Sequence, residues 1–159
     1  GNTKQNMELK KYLILITIIS FTKFLHADIV KPVENLTAYD VVKIQLTALK
    51  NNNNPSKNNG IKQTWIFAHP ENKKFTGPYE RFEKMLLGNQ YSFLLNHESH
   101  KIKLITNSKD NYIYNIELIS KEKKLYFYEW HLEKSTTDEC SNCWFTTIVS
   151  PPTDRGNTI

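Results

Sequence analysis

Two cysteines, five histidines and a scattered set of carboxylates are the side chains with which this chain could do chemistry. Cys140-Ser141-Asn142-Cys143 is a CxxC pair. Thiols at that spacing bind zinc, run thiol–disulfide exchange or close into a disulfide. Zinc wants four ligands, and the sequence offers neither a second Cys pair nor a closely spaced His pair, so no metal is expected. Thioredoxin-type redox work belongs to a βαβ context, whereas this pair leads from a loop into an apolar strand. In an oxidising compartment two thiols this close join. A structural disulfide between Cys140 and Cys143 is therefore the expectation, with free thiols and then redox activity as the alternatives.

His97 follows Leu94, Leu95 and Asn96 where helical patterning gives way to strands. A histidine at a pocket mouth serves as acid, base or ligand anchor. One at a chain corner instead satisfies backbone groups that need partners, and the position favours that second role. Glu129 and His131 stand at i and i+2, on one face of a strand. A carboxylate there can orient and charge an imidazole. The opposite row, Tyr126, Tyr128, Trp130 and Leu132, is the more apolar, which puts the Glu129–His131 pair outside. Arg81 could clasp a carboxylate or phosphate through both guanidinium edges, or pair with Glu80 or Glu83. His97, Arg81 and Glu129 are thus the candidate catalytic residues. Trp65, Phe67, Trp130 and Trp144, with Asn96 and His97, form the candidate binding pocket, although core packing accounts for such aromatics as readily. No motif implies a cofactor.

Elements that would position these residues follow from periodicity. Thr37 with Asp40 three residues on is a capping-box variant, and Val41, Val42, Ile44, Leu46, Ala48 and Leu49 make a wide apolar face over a helix Ala38–Lys50. Lys43, Gln45 and Lys50 fall outside that face. The Asn-rich stretch 51–60 reads as a loop. Ile61, Thr64, Trp65 and Ala68 recur at helical spacing, and Pro70 ends that helix. Gly77-Pro78 opens a third helix with Tyr79, Phe82, Met85 and Leu86 inward, closed by Gly88. From Tyr91 the period is two. Strands are expected around Ile102–Leu104, Tyr112–Ile119, Leu125–Leu132 and Cys143–Val149, with a frayed tail over 153–159. Three helices followed by a meander of about four antiparallel strands give an α+β fold with the helices on one face of a curved sheet.

Composition narrows the class. The 159 residues carry 39% hydrophobic side chains and a net charge of +5, which suits one globular domain of roughly 100–200 residues. Residues 1–6 precede the first Met and read as a tag or upstream residues. From Met7, the basic pair Lys10-Lys11, the apolar run Tyr12–Phe21 and the small Ala27 have the layout of a signal peptide over 7–27. The apolar run is short for a membrane span of ~20 residues, so membrane contact is expected only if this leader stays uncleaved as an anchor. Residues 1–27 hold four Lys and one Glu, leaving 17 basic and 15 acidic residues, or +2, in the remainder. No clustered basic stripe remains, which argues against nucleic acid. Residues 28–36 are a linker, in which Asn35-Leu36-Thr37 has the form of a glycosylation sequon. The domain proper spans 37–152.

One string of residues runs through most of that domain: Phe67-Ala68-His69-Pro70-Glu71-Asn72-Lys73, Thr76-Gly77-Pro78, Arg81-Phe82, Met85, Leu94-Leu95-Asn96-His97 and Cys140-Ser141-Asn142-Cys143-Trp144, after an opening Val41–Leu49. It resembles the uncharacterised bacterial and plant family termed domain of unknown function 4864. The resemblance implies a fold similar to nuclear transport factor 2, a cone of three helices wrapped by a bent sheet around a pocket. It implies no activity, since cones of this kind host isomerases, dehydratases, dimerisation modules and ligand binders. The expectation is an exported, non-catalytic accessory module that holds a small ligand or a protein in the pocket or on the sheet face. A homodimer through the sheet is one form of that. A cofactor-free lyase or isomerase using His97 is the alternative, and a thiol-redox accessory using the CxxC pair a further one.

Overall fold

The structure, a computed structural model, describes residues 2–3 and 28–157. The expected leader, residues 7–27, lies outside the described residues. Helix α1 spans Ala38–Lys50. It starts at Thr37, whose hydroxyl oxygen accepts the Asp40 N–H while the Asp40 carboxylate accepts the Thr37 N–H at 2.8 Å. The Thr37 N–H and hydroxyl, both donating to it, hold the Asp40 carboxyl below its ordinary range. Val41, Val42, Leu46 and Leu49 are fully buried, as the apolar face requires. Gln45 departs from the expectation. It faces inward and is 1% exposed, because three buried polar partners wait for its amide.

Helix α2, Asn59–Ile66, crosses α1 at very close range. A Cβ on Gly60 would stand 2.2 Å from the Ala48 carbonyl oxygen, so only glycine permits this crossing. The turn before it is fixed by Asn52, also buried, whose main-chain carbonyl accepts the Gly60 N–H at 2.9 Å. Its side-chain carbonyl accepts the Ile61 N–H at 3.1 Å.

Helix α2 stops at Ile66, short of the proline expected to end it, and Pro70 is instead the first residue of a helix the sequence reading lacked, α3, Pro70–Thr76. Proline has no N–H to lose at a first helical position. His69 caps the helix, its Nδ1 accepting the Glu71 N–H at 3.1 Å. Helix α4 follows over Tyr79–Leu87 with Phe82 and Leu86 buried. There are thus four α-helices among the described residues rather than three.

A single 3-10 turn, Ser92–Leu94, leads into the strands β1 Ser99–Asn107, β2 Asn111–Ile119, β3 Lys124–Lys134, β4 Trp144–Val149 and β5 Thr153–Asn157. The sheet is antiparallel in the order β1-β2-β3-β4, and β5 also pairs with β3. The expected frayed tail is therefore a strand as far as Asn157. Tyr114, Ile116 and Leu118 of β2 and Tyr126, Tyr128, Trp130 and Leu132 of β3 face the helices and are buried, which is the phase that the two-residue alternation predicted. Register slips by one between Leu104 and Thr106 in β1, and Leu104 and Ile105 there are half exposed. The architecture is α+β with its core between the helices and the inner face of an antiparallel sheet.

Residues 28–36 are docked rather than free. The Gln63 amide clasps the Val30 backbone from both sides, donating to its carbonyl and accepting its N–H at 2.8 Å each. No helix among the described residues is long and apolar enough to cross a membrane.

Candidate functional site

The histidine at the helix-to-sheet corner is buried and hydrogen-bonded through both ring nitrogens. His97 is 2% exposed. Its Nδ1 lies 2.6 Å from the Leu94 carbonyl oxygen, which only accepts, so Nδ1 carries the proton. Nε2 is then the acceptor and takes the Nδ1–H of His100 at 2.7 Å. Both ring nitrogens are engaged, and neither is open to a substrate. Burial drives the His97 pKa down to about 4, with His100 and Lys50 adding to the shift against the Leu94 bond. Asn96, a candidate pocket residue, is exposed and takes a left-handed conformation at φ 56°, with its N–H bonded to the Leu49 carbonyl.

Arg81 is exposed on α4. Glu129 faces solvent on the outer sheet face, 3.2 Å from His131 Nε2. The three candidate catalytic residues therefore lie apart. The aromatic candidates are core. Phe67 and Trp130 are buried, Trp144 stands edge-on to Tyr112 at 5.1 Å, and Trp65 packs on Phe82 at 5.1 Å. They do not converge on one cavity.

The cavity that does form lies elsewhere, between α3, α4 and β4. It has a volume of about 230 Å³ and is lined by Asn72 and Thr76 of α3, Met85 and Leu86 of α4, Tyr91, and Thr146–Val149 of β4. Two helical residues at i and i+4, Asn72 and Thr76, supply one wall. The edge of β4 is the opposite wall and is held in place from the helix side. The Thr146 N–H donates to the Phe67 carbonyl and its own carbonyl accepts the His69 N–H, both at 2.8 Å. The Asn72 amide donates to the Thr147 carbonyl, and the Tyr91 hydroxyl to the Val149 carbonyl at 2.9 Å.

The floor is built on Gln45, a residue that sequence reasoning placed outside. Its Oε1 accepts the Trp130 indole N–H at 2.8 Å and the Thr146 hydroxyl at 2.6 Å. Its Nε2 donates to the Thr64 carbonyl at 3.1 Å. One amide thus ties α1, α2, β3 and β4 together beneath the cavity. The signal that could have found it is a glutamine flanked by buried positions, at helical spacing from Val41, Val42 and Leu49.

The hydroxyls along the cavity share a direction. Thr146 donates to Gln45, Thr76 to the Asn72 carbonyl at 3.0 Å, Thr64 to the Gly60 carbonyl at 2.9 Å and Tyr91 to the Val149 carbonyl. Each proton points into the protein, and each oxygen keeps acceptor capacity. The lining holds no carboxylate, imidazole, ammonium or thiol, and burial pushes the Tyr91 phenol further from ionising. A more open groove of about 440 Å³ lies across α1 and α2, next to Asp28 and Val30.

A second recess, of about 250 Å³, lies on the other side of α3. Cys140 lines it, and its sulfur stands at bonding distance from that of Cys143, with the Cα atoms 5.6 Å apart. Lys31, Pro32, Lys73 and Glu139 complete most of the wall. Lys73 Nζ lies 3.9 Å from Glu139 and 5.3 Å above the Trp65 ring. Partial burial lowers the Lys73 pKa against the pull of Glu139.

No family model, no curated protein and no solved structure matches this chain. Fold and site define a small α+β protein with a neutral, hydroxyl-rimmed cavity and a separate, half-buried disulfide.

Proposed function

We propose that the chain is a non-catalytic binding module that holds a small, neutral, largely apolar molecule bearing a hydrogen-bond donor in the α3–α4–β4 cavity. The observation that carries this reading is the direction of the hydroxyls. Four of them spend their protons on the protein and leave acceptors around a greasy hollow. A ligand O–H or N–H completes them, and a ligand charge finds no partner and loses its hydration. The volume lies below the roughly 300–1,000 Å³ of drug-sized pockets, which points to a ligand of about one ring. Export through the segment 7–27, and a cone arrangement like that of nuclear transport factor 2, belong to the same proposal. The first is supported by the basic–apolar–small order, the second by helices packed on one face of an antiparallel sheet.

Binding of benzyl alcohol, benzamide, benzoate and benzylammonium tests it, followed by calorimetry and by the indole resonance of Trp130. The neutral pair should bind at least about tenfold more tightly than the charged pair, because a charge buried without a partner is costly. Met85→Trp, which fills the cavity from its half-exposed rim, should abolish binding while the protein melts as before. Equal affinity for benzoate, or full binding by the Met85→Trp protein, would overturn the reading.

A further inference from the structure

We propose that the Cys140–Cys143 disulfide is a reversible exchange site for small anionic thiols, which enter the recess between α3 and residues 31–32. This inference stands apart from the cavity between α3, α4 and β4 and does not depend on what binds there.

Access comes first. Cys143 is fully buried and Cys140 only partly so. Cys140 is also the sulfur that lines the recess. Exchange rates depend on which sulfur an incoming thiolate can reach, and here the geometry offers one. Charge comes second. The recess presents two ammonium groups, Lys31 and Lys73, against one carboxylate, Glu139, with Asp138 exposed next to it in sequence. A thiol that carries its own carboxylate has a cationic wall to approach, whereas a neutral thiol gains nothing from it.

Reversibility comes third, and it rests on the loop rather than on the sulfurs. The Ser135 N–H donates to the Cys143 carbonyl at 2.7 Å, and the Asn142 N–H to the Ser135 carbonyl at 2.9 Å. The Ser135 hydroxyl accepts the Thr137 N–H at 3.0 Å. These bonds hold residues 135–143 in a closed turn with or without the S–S bond. The bridge spans a sequence separation of only three, so it removes little entropy from the unfolded chain. The dithiol form thus stays folded, with its two sulfurs held side by side.

The step balances as follows. An incoming thiolate attacks Cys140 Sγ, a new S–S bond forms to that sulfur, and the Cys140–Cys143 bond breaks. Its electron pair leaves on Cys143 Sγ, which takes up a proton. A second thiolate attacks the incoming group's sulfur and releases a small disulfide and the Cys140 thiolate. Two small thiols are oxidised and the protein disulfide is reduced. The reverse sequence restores the bond.

The test compares 3-mercaptopropionate with 2-mercaptoethanol at equal thiolate concentration on the full chain, with acid quenching, alkylation and mass mapping. Reduction by 3-mercaptopropionate should be about fivefold faster, the worth of one ion pair at contact distance in water. Lys73→Gln should remove that preference, with Lys31→Gln as the second variant should the first not fold. The trapped mixed disulfide should map to Cys140. Equal rates for the two thiols in the parent, an adduct on Cys143, or reduction at a rate independent of thiol concentration would each overturn the proposal. The last result would mean that the chain must unfold before the bond is reached.

Discussion

Helix α3 is seven residues long and separates two recesses of nearly equal size and opposite character. On one side Asn72 and Thr76 face hydroxyls, methyls and a thioether. On the other, Lys73 faces a carboxylate, a second lysine and a disulfide. The neutral cavity is part of the fold, since its floor is the Gln45 amide that joins two helices to two strands. The charged recess is an addition to the fold: a turn closed by its own backbone bonds and a segment docked through the Gln63 side chain, with no part in the Gln45 network. Loss of the Gln45 floor should destabilise the protein strongly, and damage to the charged recess should leave it standing.

The sharpest way to break that contrast is Gln45→Leu. The Trp130 indole N–H, the Thr146 hydroxyl and the Thr64 carbonyl would lose their shared partner, and each buried polar group so orphaned costs roughly 1–3 kcal/mol. A loss of about 4 kcal/mol in denaturant melts is expected. A loss under about 1 kcal/mol would show that water replaces the amide, and that the cavity floor is not part of the core.

A pH scan gives the next effect and acts on neither recess. Burial depresses the His97 pKa from 6.5 to about 4, and that of His100 moves the same way. The neutral ring is the folded form, so the unfolded chain takes protons first. Stability is full above pH 6.5 and falls as the pH drops toward 4, by about 3 kcal/mol in all and about 2 kcal/mol by pH 5. That window lies above the range in which Asp40 and Glu117, both depressed carboxylates, take up protons. His97→Gln should flatten the pH 6.5–5 limb. An unchanged slope in that variant would move the titrating group elsewhere.

The smallest effect belongs to the disulfide. Replacing Cys140 and Cys143 together by Ser should cost about 1–2 kcal/mol, as a four-residue loop allows. A cost above that of Gln45→Leu would invert the comparison and make the charged recess the structural one.

Much of this was legible beforehand, and the misses share physical causes. Strand phase was readable because Tyr126, Tyr128, Trp130 and Leu132 alternate strictly with charged or smaller neighbours, and a slip of one residue would bury Glu129. Helix α1 was readable from its cap and apolar face. Gln45 was not, because an amide looks the same on a solvated face as in a core, and only the position of Trp130, 85 residues away, tells the two apart. Helix α3 was hidden because proline stops one helix and starts another, and the sequence shows the residue without showing which. The tail was missed because Asp154 and its neighbours look unlike a strand until β3 offers them hydrogen bonds. The four aromatic pocket candidates do not converge because aromatic residues serve cores and cavities equally. The actual cavity is rimmed by threonines and an asparagine, residues that carry no signature of their own.

The hydrogen bond from Trp130 to Gln45 gives the protein a built-in reporter. The chain has three tryptophans, and their surroundings differ in kind. The Trp130 indole proton sits in a dry core against an amide oxygen that also holds a cavity-wall hydroxyl. Trp65 lies under an ammonium group beside the disulfide recess, and Trp144, which follows Cys143 in the chain, lies under another at the start of β4. A molecule entering the neutral cavity pulls on Thr146, hence on Gln45, hence on the resonance frequency of one indole proton. A thiol in the charged recess disturbs a different indole. Each recess therefore has its own spectroscopic channel, and the unlabelled protein can tell an observer which side of α3 has been occupied.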